Sequence, residues 1–153
     1  MVVMVVSTFS VKAQPFEESV EWMAEATCDK GIDCLAQAVY FEARGEVKAG
    51  QVAVAQVIMN RVHSPKYPNS IKEVVWQPKQ FSYTHDGKHE RMLDQVAKAK
   101  AYDVAHFVLN YGQFFDSMEG SDHYYAHKLA NPVWKDKMVF VAQIGNHSFY
   151  RSK

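Results

Sequence analysis

The sequence predicts an α+β domain in which helices dominate and a short β-sheet region follows them. Three observations carry this. Two almost wholly apolar stretches of helical length succeed one another between residues 33 and 63, and a third helically spaced stretch fills 91–110. The chain then changes character, alternating in short runs from residue 122 to 150 around a Gly-Asn turn signal.

Composition agrees with a single domain. The 153 residues are 48% hydrophobic and 22% charged, an ordinary balance for a globular chain long enough to bury roughly two thirds of its unfolded surface without a metal or disulfide framework. Disorder, collagen and coiled coil are thereby excluded. Seventeen basic residues balance seventeen acidic ones, so no net field exists to hold a nucleic-acid backbone or an anionic membrane surface. The expected ligand is neutral or recognised by local contacts. No cofactor, no nucleic acid and no stable membrane insertion are expected, and a monomer suffices.

Taken in order, residues 1–13 (MVVMVVSTFSVKA) form a short apolar run ending in small residues. This pattern fits an export signal or an unstructured start, although it lacks a basic leading segment and falls far short of the roughly 20 residues that span a bilayer. A strand or core segment is the alternative. Residues 14–32 read as an N-terminal extension and 33–153 as the functional domain. Cys28 and Cys34 lie six positions apart around Gly31. A disulfide is feasible there and expected with export, closing a loop so short that it stabilises by only about 2 kcal/mol; two buried thiols are the alternative.

Asp33 is the expected N-cap of a buried helix through CLAQAVYF, which stops near Gly45. A second apolar helix runs from about Gln51 to His63. SPKYPNS, with Pro65 and Pro68, is a loop, and IKEVVWQ a short helix or turn ended by Pro78. QFSYTHDGKHE reads as an extended piece with a turn at Asp86 and Gly87. Arg91 to Asn110 is the third long helix. HYYAH, MVFVAQI and HSFY are two or three short strands, the last two joined through Gly145 and Asn146.

Glu42 stands out. One helical turn before it lie Ala38 and Val39, so its carboxylate emerges from the most apolar face of the chain. Burying an unpaired carboxylate raises its pKa, and a carboxyl that stays protonated in an apolar cleft suits general-acid attack on a glycosidic oxygen. If the helix continued, Glu46 would share that face and push Glu42 further up by like-charge repulsion. The alternative is that Arg44 or Arg61 pairs with one carboxylate and both are solvated at a helix end.

AVYFEARGE, AGQVAVAQVIMNRV, QFSYTHDG, SDHYYAH and VAQIGNHSFY together resemble the cell wall hydrolase family typified by the catalytic domain of the spore cortex-lytic enzyme. The similarity runs from Asp33 to Tyr150, and the EARGE string followed by GQVAVA is its specific part. The resemblance implies a small lysozyme-like fold that cuts peptidoglycan between N-acetylmuramic acid and N-acetylglucosamine, with Glu42 as the catalytic glutamate. It further implies cleft or substrate-binding roles for Gln80, Phe81, Ser82, His123, Tyr124 and Tyr125, with Glu46 beside them. An exported location follows, in periplasm, cell wall or medium, or on a host wall attacked by a phage endolysin.

A two-carboxylate glycosidase needs a partner about 5 Å away for retention or about 6.5 to 9.5 Å for inversion. Asp86, Asp116, Glu119 and Asp122 are the candidates, none marked out by its surroundings. A lytic transglycosylase needs one carboxyl alone, acting as acid and then as base, and the resemblance favours it over a hydrolytic muramidase. His85 with His89 and His123 with His127 are spaced as a helical metal site would be, but one pair straddles a glycine and the other sits in strand-like sequence, so no metal is expected. A zinc amidase that cuts the muramoyl-alanine bond depends on that metal. A non-catalytic peptidoglycan-binding module would need only the aromatics Trp76, Phe81, Tyr83, Tyr124, Tyr125 and Trp134, some of which are core packing.

Overall fold

A computed structural model describes residues 28–86, 91–112 and 115–153. The expected export segment at 1–13 lies outside the described residues, as does the extension before residue 28. Four α-helices are present among the described residues: α1 (Gly31–Ala43), α2 (Lys48–His63), α3 (Ile71–Val75) and α4 (Gln95–Tyr111). Three strands follow, β1 (His123–Ala126), β2 (Val139–Ile144) and β3 (His147–Arg151). The helix-dominated α+β expectation is met.

Every residue from Cys34 to Tyr40 in α1 is buried, which is why its sequence shows no polar face. The helix packs against α2, α3 and α4. It begins at Gly31, ahead of the expected cap, because Lys30 takes the extended N-cap conformation. Asp33 instead falls in the first turn, where its charge meets the free N–H groups of the helix end and its carboxylate accepts the Tyr102 hydroxyl of α4 at 2.9 Å. Cys28 and Cys34 are joined as a disulfide, and the Trp76 indole N–H donates to Cys28 Sγ at 3.0 Å.

The other boundaries shift for similar reasons. Apolar periodicity marks α2 from residue 51, yet the helix starts at Lys48, since its first two residues, Lys48 and Ala49, are exposed and need no apolar pattern. Helix α4 starts at Gln95, four residues later than expected, because the Asp94 carboxylate accepts the Ala97 N–H at 2.9 Å and so caps the helix there. The segment expected to be extended after Phe81 coils into a 3₁₀ turn at Ser82–Thr84, held by Thr84 Oγ1 donating to the Phe81 carbonyl at 2.8 Å. Of the turn expected next, Gly87 lies outside the described residues.

Three polar residues of α2 decide where the rest of the chain goes. The Gln56 amide exchanges two hydrogen bonds with the backbone of Phe115, both at 3.0 Å. Asn60 Nδ2 donates to the carbonyls of Met118 and Ser121, and Arg61 Nε to that of Asp122 at 2.7 Å. On a helix whose neighbours are buried valines, alanines and Ile58, unpaired amides would be costly. Their pairing fixes the 115–122 strand entry against α2, and with it the start of β1.

The sheet is antiparallel, in the order β1-β3-β2. Its inner face sets Phe149 over Ala43, Val54, Val57 and Met118. Gly145 and Asn146 join β2 to β3 as a two-residue turn with Gly145 at φ +59°, the only positive φ of the pair, which makes it type II′. Glu46 reaches across from the loop after α1 and accepts both the Asn146 backbone N–H (2.9 Å) and its side-chain amide (3.1 Å). A Cβ at Gly145 would collide with Glu46 Oε2. Gly145→Ala should therefore lose about 1–3 kcal/mol, from backbone strain and the displaced carboxylate; an unchanged urea midpoint would refute this clamp.

Candidate active site

Glu42 is the penultimate residue of α1. Arg44 keeps helical dihedrals and its N–H still bonds the Tyr40 carbonyl, and the helix gives way to a turn in which the Glu46 N–H bonds the Ala43 carbonyl. The carboxyl is half-buried, backed by fully buried Ala38 and Val39. Among the described residues its hydrogen-bond partner is the Tyr124 hydroxyl of β1, which donates to Oε2 at 3.3 Å. Burial pushes the Glu42 pKa above the ordinary carboxylate value, and the Tyr124 hydrogen bond offsets this only in part. The helix C-terminus, whose dipole disfavours negative charge, acts in the same direction as burial.

Glu46 does not produce that shift. Because α1 has ended, the residue leaves the Glu42 face and is spent on the Asn146 turn. Burial alone would raise its pKa, but the Asn146 donors together with His147 and Lys128 outweigh it and hold it below the ordinary value. The two arginines expected as alternative partners are also engaged elsewhere. Arg44 lies 4.9 Å over the Tyr40 ring, while buried Arg61 donates to the Asp122 carbonyl and to Gln80 Oε1 at 2.9 Å.

Two hollows meet at Glu42. One, of about 350 Å³, is lined by Arg61, Gln80, Phe81, His123, Tyr124 and Trp134. The other, of about 500 Å³, is lined by Gly45, Glu46, Ala126, Lys128, Asn146 and His147. A groove thus passes the carboxyl on both sides. Of the expected site residues, Gln80, Phe81, His123 and Tyr124 converge with Glu42 in the first hollow, and Glu46 borders the second. Ser82 is exposed in its 3₁₀ turn and lines neither. Tyr125, alternating with Tyr124 along β1, lies on the outer sheet face, stacked on Tyr150 at 5.8 Å.

Among the four candidate second carboxylates, Asp122 adjoins the groove wall. Its buried oxygens accept His123 Nδ1 (2.9 Å), the Ser152 N–H (2.9 Å), the Ser152 hydroxyl and the Tyr67 hydroxyl (3.2 Å). Although burial opposes it, these donors and the nearby His123 hold its pKa well below the carboxylate range. With its lone pairs taken, Asp122 orients His123 and is not placed to attack a sugar. Asp86 and Glu119 are exposed and border neither hollow; the Asp116 side chain lies outside the described residues. His123 opens β1 and His127 follows its end, so the helical spacing does not arise, and His89 lies outside the described residues. Among those described, no three His, Cys, Asp or Glu side chains group as a metal site would.

Arg61, Tyr83 and Trp134 also join the site, where the sequence offers Arg61 only as a carboxylate partner and Tyr83 and Trp134 only as aromatics of a binding module. The Tyr83 hydroxyl is buried and has no hydrogen-bond partner among the described residues, and burial, then the Glu42 charge, pushes its pKa far up. Arg61 had a legible signal, a polar cluster at 56, 60 and 61 in the otherwise apolar run from Val52 to Val62. Trp76, by contrast, packs against the main core.

Tyr124→Phe tests the electrostatics. Removing the donor withdraws support from the Glu42 carboxylate form, so its pKa should rise further, and activity that needs the protonated form should persist to higher pH. The pH profile of cleavage measures this; a high-pH limb that stays put or moves down would refute it.

Residues 45–150 match the sequence model of the family described as Cell Wall Hydrolase. The spore cortex-lytic enzyme of Halalkalibacterium halodurans is 38% identical over 121 residues, covering 79% of this chain and 34% of that protein. For the spore cortex-lytic enzyme of Bacillus subtilis the values are 36% over 118 residues, 77% and 36%. The chain thus spans about a third of the length of these relatives. Among solved structures, the catalytic domain of the Bacillus cereus SleB protein is 31% identical with a TM-score of 0.62, covering 79% of this chain and 89% of that one. The catalytic domain of the germination-specific lytic transglycosylase SleB from Bacillus anthracis is 32% identical with a TM-score of 0.64, covering 79% and 93%. With its helix-dominated fold and small sheet shared with those domains, and more than half of its length matched by the family model, this chain belongs to the cell wall hydrolase family.

Proposed function

We propose that this protein cleaves peptidoglycan glycan strands between N-acetylmuramic acid and N-acetylglucosamine as a lytic transglycosylase, with Glu42 serving as both acid and base. The observation that carries this reading is the Glu42 carboxyl, biased towards its protonated form by burial at the point where the two hollows of the groove meet. The other carboxylates at the groove and its wall, Glu46 and Asp122, are occupied by donors.

In the first half of the reaction the Glu42 proton passes to the glycosidic oxygen as the bond from C1 to that oxygen breaks. In the second half the Glu42 carboxylate takes the proton of the muramic acid 6-hydroxyl, whose oxygen closes on C1. A 1,6-anhydro end results, no water is consumed, and Glu42 is protonated again. The Tyr124 hydroxyl stabilises the carboxylate between the two halves. Gln80, Phe81, His123 and Tyr124, with Glu46 on the far side, are the proposed substrate contacts in the groove; Ser82 and Tyr125, which line neither hollow, would meet the strand only beyond it. Such a substrate places the working protein outside the membrane, in the periplasm, cell wall or medium, or on a host wall attacked by a phage. That one structural relative is a lytic transglycosylase supports the choice.

Mass spectrometry of digested sacculi tests it. Anhydro-muropeptides are expected. Reducing-end muropeptides would point to a hydrolytic muramidase, and free stem peptides lost on dialysis against a chelator would point to a zinc amidase.

A further inference from the structure

We infer that the outer face of the sheet carries the groove onward as an aromatic platform for pyranose rings distant from the cleavage point, with half-buried Trp134 and exposed Phe140 as its contacts. The inference rests on the glycan substrate proposed above.

Alternation along β1 and β3 turns Tyr124 and Phe149 to the core and leaves His123, Tyr125 and Tyr150 on the opposite face. Trp134 enters that face from the 3₁₀ turn Val133–Lys137. It lines the hollow that holds Glu42, yet also meets His123 at 5.3 Å, Tyr150 at 5.7 Å and Tyr125 at 5.8 Å. Phe140 of edge strand β2 continues the row, its ring 5.5 Å from Tyr150. The rings form one continuous contact chain from Trp134 through Tyr150 to Phe140, with Trp134 and Phe140 each meeting Tyr150 edge-on, at 90° and 76°. Tyr150 forms a nearly buried floor, whereas Phe140 is 56% exposed, too open to be explained by its contribution to the core.

The chemistry of the face fits a sugar better than an apolar helix. Flat rings offer stacking surface, and polar tips interrupt them: His123, the Tyr125 and Tyr150 hydroxyls, and the Lys135 ammonium 5.9 Å from the Tyr125 ring centre. A neutral strand with axial C–H faces and equatorial hydroxyls matches both. Continuity through Trp134 selects the same strand that passes Glu42.

The test uses the full chain carrying Glu42→Gln, so that ligands are not cut, with N-acetylglucosamine trisaccharide and hexasaccharide as probes in calorimetric titrations. Phe140→Ala should weaken hexasaccharide binding about five- to tenfold, the scale of one lost ring contact, and leave trisaccharide affinity as the unchanged reference. Trp134→Ala should weaken the hexasaccharide more than the trisaccharide. Unfolding midpoints are recorded for each, and Phe140→Ser serves if Trp134→Ala fails to fold. Equal losses for both probes, or none, would overturn the platform while leaving the glycan substrate standing. So would a concentration-dependent dimer in light scattering that Phe140→Ala abolishes without touching hexasaccharide affinity. Failure of the Glu42→Gln chain to bind either probe or purified sacculi would overturn the glycan reading itself, and the platform with it.

Discussion

Glu42→Gln should reduce glycan cleavage by about 10² to 10⁴, the range for loss of a general acid, and towards the upper end because the same carboxyl would serve as base in the second half of the reaction. The amide keeps the size of the side chain and can still accept from Tyr124, so substrate binding should survive. Stability supplies an independent check. Burial raises the folded-state pKa of Glu42, so the wild-type fold loses stability as pH rises from the unfolded value through that raised value. An uncharged amide escapes this, and the variant should unfold at a higher urea concentration than wild type at neutral pH. Dead but more stable is the signature of a residue held for chemistry. Glu46→Gln should behave in the opposite way, retaining most activity while loosening the β2–β3 turn that Glu46 holds. The comparison matters because the family match begins at residue 45, after the first glutamate and before the second. If Glu46→Gln is inactive and Glu42→Gln cleaves normally, the acid is Glu46. If both cleave normally, glycan cleavage is the wrong chemistry.

Much of this site was legible in the sequence because Glu42 breaks a rule visible in one dimension. A carboxylate one turn after Ala38 and Val39 violates amphipathic patterning, and violations of this kind collect at functional sites. The strands and their Gly-Asn turn were legible for a related reason, since period-two alternation and a residue able to take positive φ are local properties. What stayed hidden depends on side chains reaching across the chain. Asp33, expected as a cap, sits in the first turn and accepts from Tyr102, whereas Asp94, inside the stretch expected to be helical, is the residue that caps. Glu46 was placed beside Glu42 by helical arithmetic that fails as soon as α1 ends, and its true partner is a hundred residues away. Asp122 looked like three other acidic residues because what distinguishes it, the convergence of Tyr67, His123 and Ser152, comes from three separate parts of the chain.

Asp122→Ala should cost about 3–5 kcal/mol, the scale of breaking a buried charged network by removing one partner, out of a total that for a domain of this kind is about 5–15 kcal/mol. The carboxylate is nearly buried, and its loss leaves the Tyr67 and Ser152 hydroxyls, the Ser152 N–H and the His123 ring without an acceptor. Asp122→Asn separates charge from shape. The amide keeps one acceptor but turns an N–H₂ towards donors, so it should recover only part of the loss. The pH dependence has a definite sign. Because the folded-state pKa of Asp122 is held below its unfolded value, its contribution is fully present above the unfolded value of about 4 and drains away as pH falls towards the folded one. Wild type should therefore lose stability through that acid window, and the Asn variant, with nothing to protonate there, should lose correspondingly less. Urea unfolding at neutral pH and again near the foot of the window measures both. Parallel losses in the two proteins, or a neutral-pH difference under about 0.5 kcal/mol, the scatter of ordinary surface substitutions, would show that Asp122 neither carries the charge nor anchors the groove wall. With the anchor confirmed, His123 owes its orientation beside Glu42 to a carboxylate that never meets the sugar, and cleavage by the Asn variant should fall even at a pH where it remains folded.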